Sequence, residues 1–229
     1  MMAMADNTLS FAATVRARKS IRKFLSQPVA DELLSAVLHD AQLTPSNSNT
    51  QPWHVHIVSG DKLKALSKAL YEALVAGRIS QDFSFDSKIF HGRYKERSDE
   101  QGSAYHESIG VARDDEAGRR AAGVLNYSFF NAPHVALLFM PTFGDNVRVA
   151  SDIGMYGQTF LLSLAARGLA GVPQTSLGFL ANTMREFLGV SPELKLLFGI
   201  SFGYADESEP CNRMPSKRDP VSDCVTFHR

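Results

Sequence analysis

The chain has 229 residues, with 24 Lys plus Arg against 24 Asp plus Glu and a sequence pI near 7.1. A chain this long buries about 70% of its unfolded surface and supports a core without staples, and its balanced charge excludes the basic excess of a nucleic-acid footprint. At 44% hydrophobic and 21% charged residues it is composed like a globular domain and unlike a disordered segment.

In chain order, residues Thr8 to Arg18 read as a short helix, with Phe11 and Val15 on one face. After a break at Pro28, Leu33, Leu34, Val37, Leu38 and Ala41 fall at helical spacing, and this helix must end before Pro45. Trp53, Val55 and Ile57 alternate with His54 and His56 as a strand does. Asp61 is placed to cap a helix carrying Leu63, Leu66, Leu70 and Leu74, which Gly77 stops.

Residues 78–112 are less regular, with Phe83, Phe85, Phe90, Tyr94 and Tyr105 among polar neighbours, and read as part helix, part mobile lid. A helix starting at Asp114 runs through Ala121, Val124 and Leu125. Residues 134–140 form a buried strand, and a long helix from Val149 to Arg167 presents Ile153, Tyr156, Phe160 and Leu164 before Gly168 ends it. Asn182 caps a short helix with Met184, Phe187 and Leu188. Leu194, Leu196, Phe198, Ile200 and Phe202 then alternate as the clearest strand. The tail from Asp206 has little core of its own and ends in a strand-like Cys224–Phe227, so it is expected to wrap over something else, such as a partner subunit.

No internal repeat or linker divides the chain, so 1–229 reads as one domain, α+β or mixed α/β, with helices covering a sheet. The longest apolar runs, such as Val135–Met140, fall far short of the roughly 20 residues of a membrane span. The N-terminal residues lack a basic segment followed by an apolar one, so no secretory signal is read there. Cys211 and Cys224 are neither a disulfide framework nor a CxxC pair, and read as free thiols of a cytoplasmic protein.

Common motifs are missing: no GxGxxG follows a strand, and there is no P-loop, HExxH or GxSxG. His54 and His56 share a strand face without acidic or cysteine neighbours, so no metal site is expected. Ser59-Gly60-Asp61-Lys62 matches SxxK only as a strand-to-helix turn.

Four segments remain. Arg16-Ala17-Arg18-Lys19-Ser20-Ile21-Arg22-Lys23 puts five cations and a hydroxyl in eight residues, which suits a phosphate dianion, or equally a solvated helix end. Arg213, Ser216, Lys217 and Arg218 form a second basic cluster, either a charged tail or a second jaw on one phosphate. Pro45-Ser46-Asn47-Ser48-Asn49-Thr50-Gln51-Pro52 precedes the only Trp; its amides can read a heterocycle with C=O and N–H edges, or simply hold an Asx-rich loop. Gly168-Leu169-Ala170-Gly171-Val172-Pro173-Gln174-Thr175-Ser176 is either backbone that approaches a flat ligand or an ordinary helix cap and turn.

These segments, in this order, resemble the flavin-dependent nitroreductase family over nearly the whole chain. Arg18-Lys19-Ser20-Ile21-Arg22-Lys23-Phe24 is similar to its N-terminal motif, and Pro45-Ser46-x-x-Asn49-x-Gln51-Pro52-Trp53 to its most specific loop. Gly171-Val172-Pro173, Gly203-Tyr204 and Arg218-Asp219-Pro220 are similar to later elements. The resemblance implies a central, mostly antiparallel sheet flanked by helices, and a homodimer with a swapped tail over 206–229. It implies FMN as cofactor, NAD(P)H as co-substrate, and a small acceptor such as a nitroaromatic.

By the same resemblance, Arg18, Lys19, Ser20 and Arg22 hold the phosphate and ribityl chain, with Lys217 and Arg218 closing from the tail. A cation such as Lys19 would also stabilise the reduced flavin. Pro45, Ser46, Asn47, Asn49 and Gln51 meet the ring from the other protomer, and Pro173, Gln174, Thr175 and Ser176 run beside it. Where many members carry an acidic residue and a glycine, this chain has Thr175 and Ser176, which implies contact near N5 through a hydroxyl or a backbone N–H. No catalytic side chain is required, because the flavin carries the chemistry. Two alternatives are a same-fold enzyme acting on carbon–halogen or activated alkene bonds, and a non-catalytic flavin-binding protein.

Overall fold

The computed structural model describes residues 9–229. The elements in order are α1 (Phe11–Ala17), α2 (Asp31–Gln42), β1 (His54–Ser59), α3 (Gly60–Val75), α4 (Gly92–Ser108), α5 (Glu116–Val124), β2 (His134–Met140), α6 (Val147–Ala166), β3 (Ala170–Gln174), α7 (Ala181–Leu188), β4 (Lys195–Gly203) and α8 (Pro210–Arg213). The strands form one sheet in the order β1-β2-β4-β3, with every neighbouring pair antiparallel.

β2 explains why helices must cover both faces: all seven of its residues are buried. Val135, Leu137 and Phe139 join a core with Leu63, Leu66 and Leu70 of α3 and Met184 of α7. Ala136, Leu138 and Met140 join the other core with Val37 of α2 and Ile153, Tyr156, Phe160 and Leu164 of α6. A strand apolar on both faces is stable only between two layers, and each large side chain so buried contributes roughly 1.5–3 kcal/mol. α6 lies close against the sheet at Gly157, where a Cβ would sit 2.7 Å from Phe198 Cζ.

Several local expectations differ from what the structure shows. Thr8, the expected start of the first helix, lies outside the described residues, and α1 begins at Phe11 with Ser10 Oγ accepting from Ala13 N. Phe11 and Val15 face outward, Phe11 being 78% exposed, while Thr14 is the buried residue of that helix. Asp61 does not cap α3; it accepts from Lys64 Nζ at 2.9 Å one turn along. Asn182 does not cap α7, because its Oδ1 accepts from Arg185. Asp115, one residue past the expected Asp114, caps α5 by accepting from Gly118 N at 2.8 Å.

Two larger differences concern strands. Residues 170–174, read as either ligand-approaching backbone or a cap and turn and not as a strand, are strand β3, paired with β4 from Ala170↔Gly203 to Gln174↔Gly199. Cys224–Phe227, expected as strand-like, carries none; a short helical turn covers Val221–Asp223 instead. In β4 the apolar alternation of the sequence continues, but the face that it presents changes along the strand. A bulge between Leu138 and Phe139 puts Leu196 in the α3 core while Ile200 and Phe202 sit in the α6 core.

Residues 78–112 leave the body through a bonded stem. Ser80 N donates to Phe179 O at 2.9 Å, and Ala181 N to Ser80 O at 3.1 Å. The buried Asp82 carboxylate takes the Arg185 guanidinium and Leu196 N, the latter at 2.8 Å. Beyond this stem, α4 has no buried residue. Asp82→Ala would leave the Arg185 charge buried beside only neutral acceptors, and losing one partner of a buried pair costs about 3–5 kcal/mol. Urea unfolding is the measurement, and a loss below about 1 kcal/mol would show that the pair behaves as an exposed one.

Candidate active site

The basic arm reaches its place through backbone pairing. Ser20 forms a bridge with Gly171 on the free edge of β3, and Ile21 N donates to Gly171 O at 3.4 Å. Three residues later Phe24 bridges Ala205, just past β4. Ile21 and Phe24 are buried with Val172, so the residues between and before them, Arg18, Lys19, Ser20 and Arg22, stand at the rim.

The tail is fastened to this arm by one side chain. Asn212, 1% exposed, accepts from Arg22 N at 2.8 Å and donates to Lys23 O at 2.7 Å and Asp206 O at 2.9 Å. Past it, Lys217 pairs with Glu100 at 3.3 Å and Asp219 with Arg97, both on α4. These contacts wall a cleft of about 630 Å³ lined by Arg97, Gln101, Pro215 and Arg218.

One residue of each basic cluster, Arg18 of the arm and Arg218 of the tail, lies near enough to the other for their charges to interact. Burial lowers the Arg18 pKa, and the Arg218 guanidinium lowers it further. Burial likewise lowers that of Arg22, partly offset by Tyr105 and then Cys211; the Arg22 guanidinium lies 5.0 Å from the Tyr105 ring centroid. Among the described residues, Arg18, Arg22 and Arg218 have no carboxylate within salt-bridge distance. Lys19 is different, with Glu207 3.5 Å from its ammonium. Like charges assembled without counter-charge raise the energy of the free site and lower it for an anion.

β3 leads away from this cradle into residues 173–176. Pro173 and Thr175 are exposed, Ser176 is half-buried, and the turn Thr175–Phe179 packs on β4. Gln174 points the other way. Its side chain is buried, with Nε2 donating to Asn126 O and Asn126 Oδ1 at 3.1 Å each and Oε1 accepting from the Ser201 hydroxyl. Its amide is already committed, which leaves only its backbone beside the cradle.

The polar loop Pro45–Gln51 lies elsewhere, at the end of α2. Ser48, Asn49 and Gln51 have φ of 52°, 57° and 47°, a left-handed region that non-glycine residues seldom adopt. Ser46 Oγ accepts from Gln51 N at 2.9 Å, and Asn47 N donates to Asp152 of α6. Asn47, Asn49 and Gln51 are exposed, and no bond joins this loop to the arm, the tail or residues 173–176.

Sequence reasoning missed Asn212, Asn126 and Asp152. Asn212 carries no signal, being one amide in a polar tail. Asp152 does carry one: it falls on the same stripe of α6 as Val149, Ile153 and Tyr156, where a carboxylate has no business in a plain core helix. His54 and His56 belong to no metal cluster; no group of three metal-ligating side chains occurs among the described residues.

The family model described as "Nitroreductase family" matches residues 15–204, and the chain belongs to that family. It is 40% identical to nitroreductase NfnB of Mycolicibacterium smegmatis over 94% of this chain and 91% of that protein. It is 36% identical to 4-nitrobenzoate reductase of Pseudomonas putida over 98% of each. The crystal structure of the FMN-dependent nitroreductase NfnB from Mycobacterium smegmatis in complex with NADPH superposes with a TM-score of 0.91 at 39% identity, covering 95% of this chain and 97% of the other.

The commitment of the Gln174 side chain has a measurable consequence. Gln174→Leu leaves the fully buried Ser201 hydroxyl and Asn126 without their partner, at a cost of about 1–3 kcal/mol. Urea unfolding of the ligand-free protein should show that loss. An unchanged midpoint would mean that the amide is free to serve a ligand.

Proposed function

We propose that this chain is an FMN-dependent, NAD(P)H-oxidising nitroreductase that works as a homodimer. The observation that carries the reading is the fastening of the tail to the basic arm by Asn212, which brings Arg218 near Arg18; among the described residues neither has a carboxylate within salt-bridge distance. That arrangement fits a terminal phosphate dianion, and β3 runs from it to Pro173–Ser176, of which Pro173 and Thr175 are exposed.

FMN bound there would supply the redox chemistry between NAD(P)H and a nitroaromatic acceptor. The chain's own residues bind and orient. Arg18, Arg22 and Arg218 hold the phosphate, with Ser20 and Lys217 beside them. Lys19, tethered by Glu207, keeps a positive charge near the arm. Thr175 and Ser176 offer hydroxyls next to the ring, and Gln174 offers its backbone only. Residues 78–112 form the lid over the acceptor: Phe85 lies 6.0 Å from Phe179 and 6.3 Å from Phe90, an aromatic ledge that starts at the end of the Thr175–Phe179 turn.

The polar loop completes the site from a second copy. Support comes from its exposure and its separation from its own chain's cradle, and from apolar side chains left uncovered on α1 and just past the end of α2, both of which pack on α6, with Phe11 at 78% and Leu43 at 83% exposure. Val221, Val225 and Phe227, exposed past the α4 contacts, suit a tail that wraps the same partner. Both cysteines are free thiols, and no described helix is long and apolar enough to cross a membrane, which agrees with a cytoplasmic setting.

The purified protein should be yellow and release FMN on denaturation, and it should oxidise NADPH when 4-nitrobenzoate is added. A colourless protein that takes up no added FMN would overturn the reading. One that binds FMN but shows no nitroarene-stimulated oxidation would be a binding protein or would act on another bond.

Shared sites make a second prediction. Arg18→Ala and Asn49→Ala should each be nearly inactive. A mixed dimer of the two, co-expressed with different tags, has one site with both defects and one with neither, and should recover toward half of the wild-type rate. Activity no better than the parents, with dimers confirmed by light scattering, would place arm and loop in the same protomer's site.

A further inference from the structure

The α6 carboxylate beneath the polar loop is used neither by the core nor by the cradle. Asp152 is 4% exposed, on a stripe otherwise lined by Val149, Ile153 and Tyr156. Among the described residues it has no salt-bridge partner. A buried carboxylate without a cation is expensive, and an apolar residue there would serve the core better. What it holds is a single group: both of its oxygens lie 3.1 Å from Asn47 N.

That N–H opens the tightest part of the loop. Ser46 is extended, at φ −140° and ψ 160°. Asn47 begins a single helical turn, and three of the next four residues are left-handed without being glycine. Such backbone does not persist unless its surroundings hold it. Most bonds that hold it are internal to the loop: Gln51 N to Ser46 Oγ, Thr50 Oγ1 to Asn47 O, and Gln51 Nε2 to Asn49 O. Among the described residues, only two side chains outside the loop hydrogen-bond it to the body. Gln42 of α2 donates to Gln51 Oε1 at 3.3 Å, and Asp152 of α6 takes Asn47 N. The first is an exposed neutral bond; the second is half-buried, and its acceptor is a carboxylate.

We propose that Asp152 is a positioning residue: it presets the polar loop so that Asn47, Asn49 and Gln51 present their amides in one fixed arrangement before any ligand arrives. This rests on the FMN reading given above, in which those amides meet the ring. A loop already ordered is not ordered at the expense of binding, so Asp152 tightens the cofactor without touching it. Because the loop serves the neighbouring copy, the carboxylate of one protomer tunes the affinity of the other's site.

The test separates positioning from a structural role. FMN affinity of the apoprotein is measured by fluorescence quenching, and apoprotein stability by urea unfolding, for wild type, Asp152→Ala and Asp152→Asn. The expected result for Asp152→Ala is FMN binding weakened about tenfold or more, as for a lost charged hydrogen bond, with a urea midpoint unchanged or raised because a buried charge is gone. Asp152→Asn, which keeps an acceptor, should restore most of the affinity.

A matched pair attacks the same bond from the loop side. Asn47→Ala keeps the N–H and Asn47→Pro removes it, and extended Ser46 tolerates a following proline. The Pro variant should bind FMN more weakly than the Ala variant, and adding Asp152→Ala to it should weaken binding no further. This pair carries the test if Asp152→Ala does not fold. Equal affinity of wild type and Asp152→Ala, a midpoint that falls in step with affinity, or equal affinity of Asn47→Ala and Asn47→Pro would each overturn the positioning role alone. A wild-type apoprotein that binds no FMN would overturn the functional reading, and this inference with it.

Discussion

A sheet edge must be paired, covered or blunted, and in this chain the way one edge is closed decides where the basic residues of the candidate site stand. β3 is the last strand in the order and carries Pro173, which has no N–H to donate and suits an edge. Ser20 and Ile21 close its other end at Gly171. That pairing, needed for the sheet, also delivers Arg18, Lys19 and Arg22 to the rim beside the exposed end of the strand. Asn212 then fixes the tail to the arm's backbone, so Arg218 follows. The site is assembled by backbone pairing, and its charges are carried along.

The elements legible in the sequence were those with strong periodicity. β2 is seven consecutive buried residues, and α2, α3 and α6 carry apolar stripes that meet it, so period alone located them. β3 was not legible because Ala170-Gly171-Val172-Pro173 has neither alternation nor β-branched density. It is a strand because β4 needs a partner on that side, a tertiary cause with no local signature. The bulge at Leu138/Phe139 was hidden for a similar reason: the alternation of β4 continues through it, and only the partner strand reveals the slip.

For the site the division is also physical. Runs of cations and amides are visible because unlike residues cluster in sequence, and the resemblance attached them to a ligand. Gln174 shows the limit. It lies inside the expected ring-side segment, yet strand alternation turns it from solvent, between exposed Pro173 and Thr175, into the bonds of Asn126 and Ser201. Asn212 lies outside every motif and fastens the two halves of the cradle together. Residue type announced which groups can bind an anion; direction and attachment came from the fold.

α4 has no buried residue, and the segment that contains it is joined to the body by Ser80 and Asp82 at one end and by α5 at the other. Changes within Gly92–Ser108 therefore leave both cores untouched, because no core volume depends on them. The constraints on this protein are thus separable: the sheet edge answers to the fold, whereas α4 answers only to its contacts with the tail, through Arg97 and Glu100, and with Arg22, through Tyr105. Substitutions at the remaining positions of this one helix can therefore accumulate with stability held in reserve.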